Sequence, residues 1–160
     1  MDLDRAVREQ LVKLIKWEDA HVGLDRALDE LPVAARGKVP KDMAHSIWQI
    51  VEHMRIAQED ILEFSRNPKY KEKKWPDQYW PAAHAPADSE AWQASIDTFH
   101  KEREAFCAMV MDPAHDLTAP FPWGSGQTLM REALLIADHN AYHTGEIVAV
   151  RRALGVWEQS

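Results

Sequence analysis

Apolar residues recur along most of this chain at spacings of three and four, and nowhere with the strict alternation of a half-buried strand. In the first such segment Leu3, Val7, Gln10, Leu14, Trp17, His21, Leu24, Leu28 and Leu31 fall on one seam. That is the pattern of a helix packed lengthwise on others. Pro32 closes it, and "PVAARGKVP" reads as a turn. The second helix is predicted from near Lys41 to about Arg66, where "NPKY" stops it, with Met43, Ile50, His53, Ala57, Ile61 and Phe64 as its inner stripe. The third begins at Asp88 or Ser89, either of which can cap the exposed amides. It turns Trp92, Ile96, Phe99, Phe106 and Val110 inward until Asp112 and Pro113 end it. The fourth starts at Thr128 as N-cap, carries Glu132 in its first turn and ends at Gly155. Four helices of this length predict an all-α fold, a four-helix bundle. The 160 residues suit one domain, residues 1–160.

The connections bear on topology. Residues 67–87 can extend to roughly 65 Å, against about 40 Å for a helix like the second. This long crossover linker between helices 2 and 3 can therefore travel the height of the bundle and lets those two helices run parallel. Its "KKWPDQYWP" is rich in proline and aromatics, so it is expected to lie against the bundle. Trp75, Tyr79 and Trp80 read first as a hydrophobic clasp and second as substrate contacts.

Composition narrows the partners. With 46% hydrophobic residues there is enough apolar surface for a core, and the net charge of −7 leaves no electrostatic footprint for nucleic acid or an anionic membrane. The N-terminal "MDLDRAVREQ" is charged from its second residue, and no apolar run approaches the ~18 residues of a membrane span. A cytoplasmic protein with no membrane partner is expected. Cys107, the single cysteine, sits beside Phe106 and near Met109 and reads as a buried, inert thiol.

The informative residues are histidines. On a helix, His139 and His143 in "DHNAYHTGEI" stand one turn apart on the face that also carries Leu129, Ile136, Ile147, Val150 and Leu154. Two imidazoles thus occupy an apolar stripe. His53 lies between Ile50 and Ala57 on the inner stripe of helix two, near its middle, as the pair lies near the middle of helix four. Matched heights let the three meet whichever way the helices run. Converging neutral imidazoles in a dry core are ligands for a divalent transition metal with a position left open. The alternative is three core residues bonded to backbone carbonyls, at a cost of about 1–3 kcal/mol for each left unpaired. Imidazole ligands argue against magnesium and calcium and do not choose among zinc, nickel, iron and manganese. His21, in the seam of helix one, either lines the pocket or is an ordinary core residue. Glu146 is a candidate for a group supporting His143 or for a general base, and equally for a solvated glutamate or for one paired with Arg131 or Arg152. His45, His84, His100 and His115 read as surface or loop residues.

The runs "TLMREALLIADHNAYHTGEIVAVRRALGVW" and "HSIWQIVEHMRIAQEDILEFSRNP", with the linker "KWPDQYWP", resemble the DinB/YfiT-like superfamily of small helical-bundle metalloenzymes. This family is distinct from the DNA polymerase that shares the name. The resemblance extends over nearly the whole chain, and its most specific part is the histidine triad, matched at His53, His139 and His143. It implies an up-down-down-up four-helix bundle, often a homodimer, whose triad holds nickel or zinc. It also implies a metal-dependent hydrolase, or a transferase that activates a low-molecular-weight thiol. The contrasting expectation is a non-catalytic metal-binding bundle in stress response or protein interaction. Independently of the family, Met130, Leu134, Ala137, Ala141 and Val148 form a second apolar face on helix four. A two-fold partner or the folded linker is expected to cover it.

Overall fold

A computed structural model describes residues 2–16 and 20–157. Among these the fold is all-helical: α1 (Leu3–Ile15), α2 (Leu24–Leu28), a 3₁₀ turn (Val33–Ala35), α3 (Ile47–Arg66), α4 (Ser89–Met111) and α5 (Leu129–Ala153). The long helices pack α1 on α4 and α5, and α3 on α4 and α5. No helix among the described residues is long and apolar enough to cross a membrane.

The predicted first helix is two helices. Lys16 caps α1, and Gly23, extended at φ −79° and ψ 175°, opens the five-residue α2. Trp17, assigned to that seam, lies outside the described residues. The spacing of apolar residues hid the break because both halves face inward, toward different cores. Leu11 and Ile15 join Leu62, Phe106, Val110 and Ile136, whereas Leu24, Ala27 and Leu31 join Ile47, Ile50, Met54, Phe99 and Ile147. Leu3, Gln10 and Leu14 of the predicted seam are exposed.

α3 begins later than the apolar pattern predicts. Asp42 has φ +64°, which no α-helix accommodates, so Lys41 and Met43 stay outside. The start is set by a capping box: Ser46 Oγ accepts from Gln49 N (3.2 Å), and Gln49 Oε1 accepts from Ser46 N (3.1 Å). α4 and α5 begin where their caps predict, at Asp88, which accepts from Ala91 N (2.7 Å), and Thr128, which accepts from Arg131 N (3.2 Å).

Residues 67–88 between α3 and α4 form a strap that runs back along α3. Gln49 Nε2 donates to the Pro81 carbonyl (3.2 Å), Ser46 Oγ donates to the His84 carbonyl, and Tyr70 donates to Asp60 (3.0 Å). Near its far end the strap crosses Gly37 so closely that a Cβ there would overlap Ala85. Part of the second apolar face of α5 is covered from within the chain. Ala137 packs in the core with Leu11 and Ile15, and Val148 in the core with Leu24 and Ala27, so α1 and α2 cover these two residues, while Leu134 stays 47% exposed.

Two buried arginines tie helix ends together. Arg8, 3% exposed, donates to the carbonyls of Val110 (2.6 Å), Asp112 (3.0 Å) and His115 (2.7 Å), closing the C-terminus of α4. Arg151 does the same for α2 through the carbonyls of Ala27 (2.7 Å) and Asp29 (2.8 Å). Replacing Arg8 by Met leaves buried carbonyls without donors and is expected to lower unfolding free energy by about 3 kcal/mol. Urea denaturation checks this, and a loss below about 1 kcal/mol would show that α4 ends without help from α1.

On the α3–α4 interface, Glu102 Oε2 is buried with no hydrogen-bond partner. Burial, with Glu59 facing it, pushes its carboxyl up from the ordinary 4.5 to about 7. The folded state thus holds a proton that the unfolded chain releases, so this group destabilises progressively as pH rises from 4.5 to 7. Glu102→Gln should raise the melting temperature at pH 8, and its advantage should vanish at pH 4. An equal gap at both pH values would contradict the assignment.

Candidate metal centre

His53 projects from the middle of α3, and His139 and His143 from the middle of α5. The capping box fixes where α3 starts and so where His53 falls, and the one-turn spacing on α5 stacks the other two rings. The structure brings the three together. One ligand atom from each lies within 4.8 Å of the others, and the ring centroids are 5.0 Å (His53–His139), 4.6 Å (His53–His143) and 4.5 Å (His139–His143) apart. His53 and His143 are buried, 3% and 7% exposed, and His139 is half-buried at the edge of a cavity.

Two hydrogen bonds set the tautomers. His53 Nδ1 lies 2.9 Å from the Tyr79 carbonyl, which can only accept, so this nitrogen carries the proton. His143 Nδ1 likewise donates to Glu146 Oε2 at 2.8 Å. Nε2 is thus in each ring the nitrogen left to meet a ligand. Burial lowers the His53 pKa to about 4, against the opposing pull of the Tyr79 carbonyl; burial, with His143 and His53 nearby, lowers His139 to about 4. Both are neutral imidazoles at neutral pH.

The residues present fit a divalent transition metal. His139 Nε2 and His53 Nε2 stand 3.1 Å apart, where two lone pairs repel unless a proton or cation lies between them. At zinc–nitrogen bond lengths, one tetrahedral ion holds two imidazole nitrogens about 3.3 Å apart. The outer nitrogens of two rings already have the carbonyl and carboxylate partners that metal-binding histidines require.

The centre opens on a cavity of about 360 Å³ whose walls, besides the triad, are Ala57, Asp60, Ile61, Trp75, Tyr79 and Leu135. Asp60, Ile61, Tyr79 and Leu135 are shared with a neighbouring cavity of about 410 Å³ that reaches Tyr70, Trp123 and Arg131. Trp75 is 66% exposed at the mouth, its ring centroid 6.3 Å from that of His53.

The remaining sequence candidates fall elsewhere. His21 is exposed, its Nδ1 2.9 Å from the Val22 carbonyl, and lines a cavity of about 60 Å³ reached by Asn140 and Thr144 on another stripe of α5. It left the predicted depth because α1 ends before it. Glu146 is on the outer nitrogen of His143, and that bond holds its carboxyl below the usual range. Arg131, one of its expected partners, pairs instead with Glu132 (2.8 Å). His100 meets Asp25 (2.8 Å) and His84 meets Gln49 (3.0 Å), both away from the triad. Burial pushes the Cys107 thiol up to about 11, which leaves it protonated and inert.

His45 lies in a loop, as expected, but is half-buried against the strap. It stacks on Trp80 (3.8 Å, 12°), whose other face stacks on His53 (3.9 Å, 4°). Asp60 was also missed, although its signal was available: with His53 and Ala57 it keeps the four-then-three spacing of the inner stripe of α3.

None of the curated proteins and none of the solved structures matches the chain. A family model does, that of the DinB superfamily, over residues 16–147. The matched region takes in α3, the strap between α3 and α4, and α5 as far as Ile147, with all three histidines, and on that extent the chain belongs to the DinB superfamily.

Proposed function

We propose that this protein is a metal-dependent enzyme, a hydrolase or a thiol-dependent S-transferase, with His53, His139 and His143 holding a divalent ion, nickel or zinc. The observation that carries the reading is the one-sidedness of the centre. Behind the rings, the strap carbonyl and Glu146 hold the outer nitrogens of His53 and His143; in front, the three rings line the 360 Å³ cavity. Asp60, also in that cavity wall, has its oxygens engaged by Tyr70 and Tyr79. Positions opposite the triad are thereby left for water or substrate, the arrangement of a catalytic rather than a closed structural site.

Such an ion, when bound, supplies Lewis acidity that makes water or a thiol available as a deprotonated nucleophile near neutral pH. The chain's own contribution is orientation and exclusion of solvent. Ala57, Ile61, Leu135 and the Trp75 ring give the cavity an apolar wall, which favours a substrate whose reacting group is carried on an apolar body. Glu146 holds the His143 ring and its proton at Nδ1. We also read the bundle as up-down-down-up. Contacts that advance together on α3 and α4 support a parallel pair: Trp48 with Trp92, Glu52 with Ser95, and Gln58 with the Phe99 carbonyl. Contacts that advance in opposite senses support an antiparallel α1 and α4: Arg8 with Val110, and Lys16 with Glu104.

Protein purified without an affinity tag and loaded with nickel or zinc is expected to hold one ion per chain by elemental analysis. His139→Ala and His143→Ala should lose it, with the metal-free melting temperature little changed. Chelation should lower the melting temperature of the loaded protein, since an ion bound only by the folded state stabilises it. Absence of bound metal together with indifference to chelator would overturn the reading. Esters, amides and thiol-acceptor pairs with apolar substituents then test turnover. Metal binding with no turnover above that of His139→Ala would favour a non-catalytic bundle.

A further inference from the structure

On the strength of the metal reading above, we infer that Asp60 and Tyr79 are positioning residues of the centre: Asp60 grips the Tyr79 side chain so that the Tyr79 carbonyl fixes the tautomer and aim of His53. Tyr79 is held at both ends. Its hydroxyl donates to Asp60 Oδ2 at 2.6 Å, and its carbonyl accepts from His53 Nδ1 at 2.9 Å. Asp60 and His53 belong to the same stripe of α3, so the helix, the phenol and the strap backbone close a ring of contacts around one ligand.

Asp60 is built for this load. It is 8% exposed, accepts from Tyr70 as well (3.0 and 3.1 Å), and has Lys73 Nζ 3.5 Å away. A buried carboxylate with several donors is strongly held, whereas one stripped of them is costly. Both phenols stay protonated donors, since burial and the Asp60 charge push Tyr70 up to about 12 and Tyr79 higher still.

Two constraints are needed to aim an imidazole nitrogen, and the strap supplies both. Trp80, parallel to His53 within 4° at 3.9 Å and backed by His45, sets the ring plane. The bond to the Tyr79 carbonyl sets the rotation within that plane and leaves Nε2 to meet a ligand. Adjacent strap residues thus do for His53 what Glu146 does for His143 from its own helix.

The test uses the full-length chain and the variants Tyr79→Phe, Asp60→Asn and Asp60→Ala, with two readouts. In metal-free protein, ¹⁵N NMR of the His53 ring is expected to show the Nδ1–H tautomer in the wild type and a mixture in Tyr79→Phe and Asp60→Ala. Affinity for cobalt(II), measured by competition with a chelator, should fall about 10–100-fold in those two variants. Asp60→Asn, which keeps an acceptor for Tyr79, should recover most of the affinity, which a merely structural loss would not predict. Unchanged tautomer and unchanged affinity in Tyr79→Phe would overturn the inference while leaving the metal site standing. If Asp60→Ala fails to fold, Tyr79→Phe decides alone, because it removes one hydroxyl. A wild type that binds no cobalt(II), yet loses the Nδ1–H tautomer in Tyr79→Phe, would uphold the positioning and sink the metal reading.

Discussion

Where α3 lies against α5, a row of polar side chains runs between the two aliphatic cores, and its members bond to one another and to the backbone. Gln58, 1% exposed, donates to the Phe99 carbonyl (2.8 Å) and accepts from Asn140 (3.2 Å). One step along, His53 meets His139 and His143. Below them Asp60 meets two phenols. A buried polar group left unmade costs about 1–3 kcal/mol, so this seam tolerates few alternative packings. Helix rotation or a shift in register would break several bonds together, and the imidazoles converge because the seam allows little else.

The aliphatic cores on either side serve this seam by immobilising it. One, around Leu11, Leu62, Phe106, Val110 and Ile136, joins α1, α3, α4 and α5; the other, around Leu24, Ile47, Met54, Phe99 and Ile147, joins α2, α3, α4 and α5. Arg8 and Arg151 connect helix ends to those cores through carbonyls that would otherwise face a dry interior. The division matches a common pattern in which function occupies the less favourable packing and the surrounding core offsets it.

Much of this was legible in the amino-acid order, and what was not has identifiable causes. His139 and His143 were readable because one helix turn places them together, and His53 because its stripe was apolar on both sides of it. Asp60 occupies the same stripe, but a single acidic residue looks like a solvated charge until its phenol partners are known, and those come from a segment without periodicity. His45 and Trp80 were invisible for the same reason: their stacking joins two irregular stretches. His21 was misplaced by a seam whose spacing continues through a helix break. Periodicity reports which residues face inward along one element; it says nothing of where a loop lies, nor whether two inward faces belong to one rod.

The strap also changes what kind of segment the α3–α4 connection is. Surface connections ordinarily accept extra or missing residues with little effect. Here successive rungs join residue 46 to 84, 49 to 81, 53 to 79 and 60 to 70, so chain length between the rungs is as constrained as the pitch of a helix. Among descendants of such a chain, insertions and deletions would be purged between residues 67 and 85, where Ala85 still packs on Gly37, and that stretch would diverge by substitution alone.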